Sequence, residues 1–297
     1  MPDETYPAGD PVVRADSVLV EGEAARIVHA GDPASPAILL LHGWGASAYS
    51  FRKVIPELAR SGYYAVVPEL RGHGGSDKPR LAGAYTAQAM AVRVAAVIDA
   101  LRLAPVAMVG QSIGGAIVLD LAAMRPDLVS AAVLVSPIGF TSLRRVDVLR
   151  RLRVWTWAPT RPGRWMIELV MRRIYGVRGR WTARDVDEYW TPLREPGATA
   201  ALLSLVRSFE FGRRSPEAVA HLGARLRLLF GDRDRPVPLR EALAHAARFS
   251  TAHIEVLRGV GHVAAEEAPA EVVSAILAVA KEVVGDARSD GRADPPD

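Results

Sequence analysis

No cysteine occurs in the 297 residues. Disulfide staples, thiolate metal sites and a cysteine nucleophile are therefore excluded. No apolar run approaches the ~18 residues that suggest a membrane-spanning helix. The first five residues, Met1-Pro2-Asp3-Glu4-Thr5, are acidic and polar, unlike a secretory signal. Together these absences lead to the expectation of a soluble cytoplasmic protein without a membrane span. No internal repeat is present, and no metal or organic cofactor is implied. What is there has an ordinary globular balance, with 49% hydrophobic and 24% charged residues. The length suits one large α/β core with an insertion, or two ordinary domains.

Charge is unevenly placed. Residues 138–214 hold 16 Arg against 7 acidic side chains, a net of +9, within a chain whose total is +4, so the remainder carries −5. Nucleic-acid binding is one reading of such a patch, but no binding motif accompanies it. A solvated basic surface is the reading adopted, with no nucleic-acid partner.

Residues 1–16 and 284–297 are rich in Pro, Asp, Gly and Arg and lack periodicity, and read as disordered tails. Between them strand-like and helix-like runs alternate. An antiparallel pair is expected over 17–29. Short apolar strands are expected at 37–41, 63–67, 106–109, 131–135, 226–230 and 254–257. Helical runs cover 49–60, 86–103, the stretch after 112, and 266–284. The alternation predicts a mostly parallel sheet with helices on both faces. Residues 138–214 break it. They show no strand, contain five of the six Trp, and are punctuated by Pro159, Pro162 and Pro192. A helical cap resting on the site is expected there, inserted into a core made of 17–137 and 215–283.

Active sites in such sheets lie beyond the carboxyl ends of the strands. One such end carries Gly110-Gln111-Ser112-Ile113-Gly114, between an apolar strand and a breaker-free helical run. A serine on that turn presents its hydroxyl at a helix N-terminus. The two glycines avoid collisions where strand and helix cross. A serine hydroxyl is a poor nucleophile at neutral pH and needs a base, which in turn needs an orienting carboxylate. Candidates follow in the order Ser, Asp, His: Asp234 or Asp232 in Gly231-Asp232-Arg233-Asp234, then His262 in Gly261-His262. His42 and His73 compete as bases. His221, His245 and His253 read as ordinary surface positions.

The chain resembles the α/β-hydrolases of the esterase, lipase, haloperoxidase and epoxide-hydrolase group. The matching residues are His42-Gly43-Trp44-Gly45, Arg71-Gly72-His73-Gly74-Gly75-Ser76, the serine turn, Gly231–Asp234 and Gly261-His262. The resemblance covers roughly 37–137 and 215–283. It implies an eight-stranded, mostly parallel sheet with an inserted helical cap. By it Ser112 attacks, His262 shuttles the proton and Asp234 holds the imidazole, with Asp232 structural. His42 and His73 shape loops. The N–H groups of Ile113 and Trp44 form the oxyanion hole. Trp44, Gln111, Trp155, Trp157 and Trp165 are the expected substrate-binding residues. Two positions depart from the common pattern: Glu69 stands where Asp is usual, and Gln111 where His, Asn or Trp is frequent.

Dehalogenases and epoxide hydrolases of this fold use a carboxylate at position 112. A serine there implies instead a carboxylesterase that cleaves an ester of a hydrophobic small molecule through an acyl-enzyme, without a cofactor. Thioester cleavage, acyl transfer and carbon–carbon bond hydrolysis use the same triad. A noncovalent lyase or cyclase on this fold would not need Ser112. Arg144-Arg145, Arg150-Arg151 and Arg172-Arg173 offer a positive surface to an anionic substrate or an acidic carrier protein. The base must be neutral to take a proton, so activity is expected to fall below about pH 6–7, the ordinary range of a histidine.

Overall fold

The computed structural model describes residues 11–103, 105–142 and 162–289. Strands β1 (Arg14–Val20) and β2 (Glu23–Ala30) form a hairpin, followed by β3 (Ala37–Leu41), helix α1 (Ile55–Arg60) and β4 (Tyr64–Pro68). Next come α2 (Ala87–Leu101), β5 (Val106–Gln111), α3 (Ile113–Met124) and β6 (Val129–Val135). Helices α4 (Arg164–Ile174), α5 (Ala183–Trp190) and α6 (Ala198–Ser208) precede β7 (Leu226–Gly231). The chain continues through α7 (Leu239–Ala246), β8 (His253–Leu257), α8 (Ala264–Glu267) and α9 (Pro269–Ser289).

The eight strands form one sheet in the order β1-β2-β4-β3-β5-β6-β7-β8. The β1–β2 and β2–β4 pairs are antiparallel and the other five are parallel. The central strands are continuously apolar because both of their faces are covered. Leu39, Met108, Leu134 and Leu228 pack with α2 and α3 on one face. Their neighbours Ile38, Val109, Val133 and Leu229 pack with α1 and α9 on the other. Each such side chain contributes about 1.5–3 kcal/mol on burial, so the sheet is a stiff platform for the loops at its carboxyl edge.

The architecture agrees with the sequence expectation, with shifts of a residue or two at element ends and larger differences in three segments. β1 begins at Arg14, inside the segment read as a tail, because β2 supplies a partner for every residue from Arg14 opposite His29 onward. The run 266–284 is two helices. Ala268 is non-helical (φ −138°, ψ 53°), as expected of a residue before proline, and Pro269 opens α9, which continues to Ser289. The run 49–60 likewise divides into a 3-10 turn, Ala48–Phe51, and α1 with Pro56 in its first turn. Among the described residues of 138–214 only helices and turns occur.

Candidate functional site

β5 runs directly into Ser112, and α3 starts one residue later. Ser112 has φ 56° and ψ −118°, a conformation that costs a non-glycine residue about 1–3 kcal/mol. The surrounding backbone holds it there. Ser112 donates its N–H to the Val135 carbonyl (3.0 Å), and its carbonyl accepts from Gly115 (3.0 Å) and Ile138 (2.9 Å). A Cβ on Gly110 would stand 2.6 Å from the Gly114 carbonyl oxygen, and one on Gly114 would strike the Leu41 carbonyl. Strand and helix cross too closely there for any side chain.

Three side chains converge on this turn from separate strand ends. His262 Nε2 lies 2.9 Å from Ser112 Oγ, and His262 Nδ1 lies 2.8 Å from Asp234 Oδ2. All three residues are buried. The carboxylate fixes the tautomer, because Nδ1 donates to it and Nε2 is left as the acceptor for the serine proton. Asp234 is itself anchored, with Oδ1 accepting from the Val237 N–H at 2.7 Å. Asp232 points elsewhere and accepts from the Gly259 N–H at 2.6 Å. It braces the turn that precedes His262 and does not touch the ring.

The loop after β3 passes close to the serine. A Cβ on Gly43 would come within 3.2 Å of Ser112 Cβ. Trp44 follows, 40% exposed, and its indole N–H donates to the Leu202 carbonyl on α6 at 3.1 Å. The N–H of Ile113 is the first of α3, and helices leave such groups without an internal partner. Gln111 is buried beside the serine, and its Oε1 has no hydrogen-bond partner among the described residues. Trp165 does not join this group. It sits on the outer side of α4 with 68% of its surface given to solvent. Trp155, Trp157 and the Arg144, Arg145, Arg150 and Arg151 positions lie outside the described residues. Arg172 and Arg173 are exposed in the last turn of α4.

The other histidines separate cleanly from His262. His42 Nδ1 donates to the Gly43 carbonyl at 2.9 Å, and its Nε2 accepts from the Leu70 N–H at 3.1 Å. His73 packs edge-on against it at 5.2 Å and donates Nδ1 to the Arg71 carbonyl at 3.1 Å. Burial lowers His42 to about 4 and His73 to about 3, so both rings are neutral braces. Glu69 completes the brace. It is ion-paired with Arg26 at 3.1 Å and accepts from the Gly75 N–H at 2.6 Å and the Ala48 N–H at 3.3 Å. His221 and His253 are exposed as expected. His245 is not a surface residue: it is buried against Phe140 and Phe249, with Nε2 donating to the Arg214 carbonyl at 2.8 Å. The face of α7 that carries it turns inward onto that aromatic pair.

Sequence reasoning missed a buried charged network behind the site. Arg52 pairs with Glu266 (2.5 Å) and with Asp185 of α5 (2.7 Å). Tyr175 and Tyr189 donate to Glu266 at 2.9 and 2.5 Å, and Tyr49 donates to Asp185 at 2.8 Å. Removing one partner of a buried pair typically costs about 3–5 kcal/mol, so this network docks the inserted helices on the core. Its sequence signal was two carboxylates, Glu266-Glu267, inside the apolar run after His262. That signal was absorbed into a helix start.

Chemically, an alcohol hydrogen-bonded to a neutral imidazole can lose its proton as it attacks an electrophilic carbon. No cluster of three or more metal-ligating side chains occurs among the described residues, and none of their helices is long and apolar enough to cross a membrane.

Comparison with known proteins agrees with this fold. A family described as "alpha/beta hydrolase fold" matches residues 36–161. An uncharacterized hydrolase, YugF, of Bacillus subtilis (strain 168) is 28% identical over 263 residues, covering 87% of this chain and 94% of that protein. Epoxide hydrolase A of Mycobacterium tuberculosis is 33% identical over 131 residues, covering 44% of this chain and 40% of that protein. Among solved structures, a serine hydrolase involved in carbazole degradation superposes with a TM-score of 0.77 at 21% identity, covering 91% of this chain and 99% of that one.

Proposed function

We propose, from a chain that has the α/β-hydrolase fold and matches that family over residues 36–161, that this is a serine hydrolase that cleaves a carboxylic ester of a hydrophobic small molecule through an acyl-enzyme. The observation that carries this reading is the unbroken hydrogen-bond line from Ser112 Oγ through His262 to Asp234. Ser112 Oγ attacks the ester carbonyl as His262 Nε2 takes its proton. Asp234 steadies the imidazolium that forms. The tetrahedral oxyanion receives the N–H groups of Trp44 and Ile113, and loss of one such donor costs about 10²–10³ in rate in a well-studied case. The intermediate collapses, His262 returns the proton to the departing alcohol, and water repeats the sequence to release the acid.

The alcohol at position 112 weighs against epoxide opening through an alkyl ester of the enzyme, which needs a carboxylate at the apex. In this reading the inserted helices act as the cap. They exclude water and supply the apolar wall for the acyl or alcohol group, with Trp44 and Gln111 at its floor.

The test is a panel of p-nitrophenyl esters and thioesters, with the acyl adduct trapped and located by mass spectrometry. A mass increment on the peptide holding Ser112, absent from Ser112→Ala, is the expected result. Undiminished turnover by Ser112→Ala would overturn the assignment.

A further inference from the structure

The turn that carries His262 is joined to the inserted helices by more than packing. The His262 N–H donates to the Ile174 carbonyl at the end of α4 (2.7 Å), and the Val177 N–H donates to the Gly259 carbonyl (2.7 Å). Backbone meets backbone there. A Cβ on Gly261 would strike the Ile174 carbonyl, and one on Gly176 would strike the Gly259 carbonyl. On its other side the same turn is pressed against Gly231 at the end of β7, where a Cβ would strike the Gly261 carbonyl. One carboxylate spans the junction. Glu267 Oε1 accepts from the Gly261 N–H and Oε2 from the Gly176 N–H, each at 2.8 Å. Gly179 leaves room for the rest of that side chain, since a Cβ there would lie 2.6 Å from Glu267 Cγ. Glu267 is 7% exposed, and its carboxylate accepts from the backbone N–H groups of Gly261, Gly176 and Gly179, so it acts through the backbone.

We propose that Glu267 is a positioning residue that locks the His262 turn to the inserted helices, so that the base is aligned with Ser112 only while those helices are docked. This inference rests on the reading of His262 as the base. Its physical basis is the steep dependence of proton transfer on geometry: a displacement of about 1 Å at a reacting group can cost ~10²-fold in rate. A protein whose base is fastened to the same segment that covers the substrate couples closure to chemistry.

The test variant is Glu267→Gln. It keeps the volume but offers one acceptor oxygen and turns an amide N–H₂ against the other backbone donor. Its kcat is expected to fall about 10²-fold with KM little changed. Labelling of Ser112 by a fluorophosphonate should slow in parallel, and the far-downfield proton resonance of the His262 Nδ1–H should weaken. A folded Glu267→Gln with wild-type kcat and labelling rate overturns the proposal. Hydrogen exchange on the unmodified protein decides the matter if that variant does not fold. The amides of Gly176, Gly261 and His262 should exchange as one unit, within about threefold of one another. Exchange of Gly176 while Gly261 and His262 stay protected overturns it. Ser112→Ala separates the two levels. If it retains activity, the serine-hydrolase reading falls. If it is dead while Glu267→Gln is unimpaired, only the present inference falls.

Discussion

His262 and the His42–His73 pair differ in what lies behind each ring. All three imidazoles are buried. His262 has a carboxylate on one nitrogen and a hydroxyl on the other. His42 has backbone groups on both, and His73 has a carbonyl on one and no hydrogen-bond partner among the described residues on the other. Burial therefore does not make a base. What sets His262 apart is a carboxylate hydrogen-bonded to its ring, and among these three rings only His262 has one, from Asp234.

The largest effects should separate the two regions outright. His262→Ala is expected to lower kcat per folded molecule by roughly 10⁴–10⁶-fold, far beyond what its loss of stability accounts for. His42→Ala should do the reverse. It strands the Leu70 N–H and leaves a cavity, costing about 2–4 kcal/mol of stability, with a far smaller loss of turnover per folded molecule. Ester hydrolysis and urea unfolding on the two variants check this, and equal losses in both assays would erase the distinction.

The next contrast lies within the acidic turn. Asp234→Asn should cost about 10⁴-fold in kcat by favouring the wrong tautomer. Asp232→Asn, which only loosens a bond to the Gly259 N–H, should cost under about tenfold. Steady-state kinetics on the pair would reverse the assignment if Asp232 proved the more costly.

A third test uses acid. The folded rings of His42 and His73 resist protonation down to about 4 and about 3 because burial disfavours the charged form. An unfolded histidine titrates near 6.5. The unfolded chain therefore binds protons that the folded one refuses, so stability is full above about pH 6.5 and falls as pH drops toward the folded values. The slope reaches about 1.4 kcal/mol per pH unit for each ring. Unfolding free energies at pH 7, 6 and 5 measure it, and a flat profile would show that the pair is not held neutral.

The smallest effect is expected of His73→Phe. One nitrogen of His73 has no hydrogen-bond partner among the described residues, so the change should alter stability by under about 1 kcal/mol at pH 7. The acid slope should become shallower, as read from the same pH series.

The serine turn was legible because Gly110, Ser112 and Gly114 are local consequences of one crowded crossing. The central strands were legible because burial on two faces demands unbroken apolar runs. β1 was not legible at Arg14, since its pairing partner lies in β2. His245 was misread because nothing in its own helix announces Phe140 and Phe249. Trp165 was grouped with the site because tryptophan in an insertion suggests a pocket wall, whereas helix phase turned this one outward.

By itself the amino-acid order determined the alternation of strands and helices, the sharp turn bearing Ser112, and the residue types able to serve as nucleophile, base and orienting acid. Those are properties of short segments, set by periodicity, glycine and apolar runs. The resemblance pointed to Asp234 over Asp232 and to His262 over His42 and His73, but only the tertiary structure brings those groups into contact, and only it decided that Glu266 and Glu267 join the inserted helices to the core. Hydrogen bonds act over about 3 Å, and residues far apart along the chain reach that range only after the sheet has brought its strand ends together.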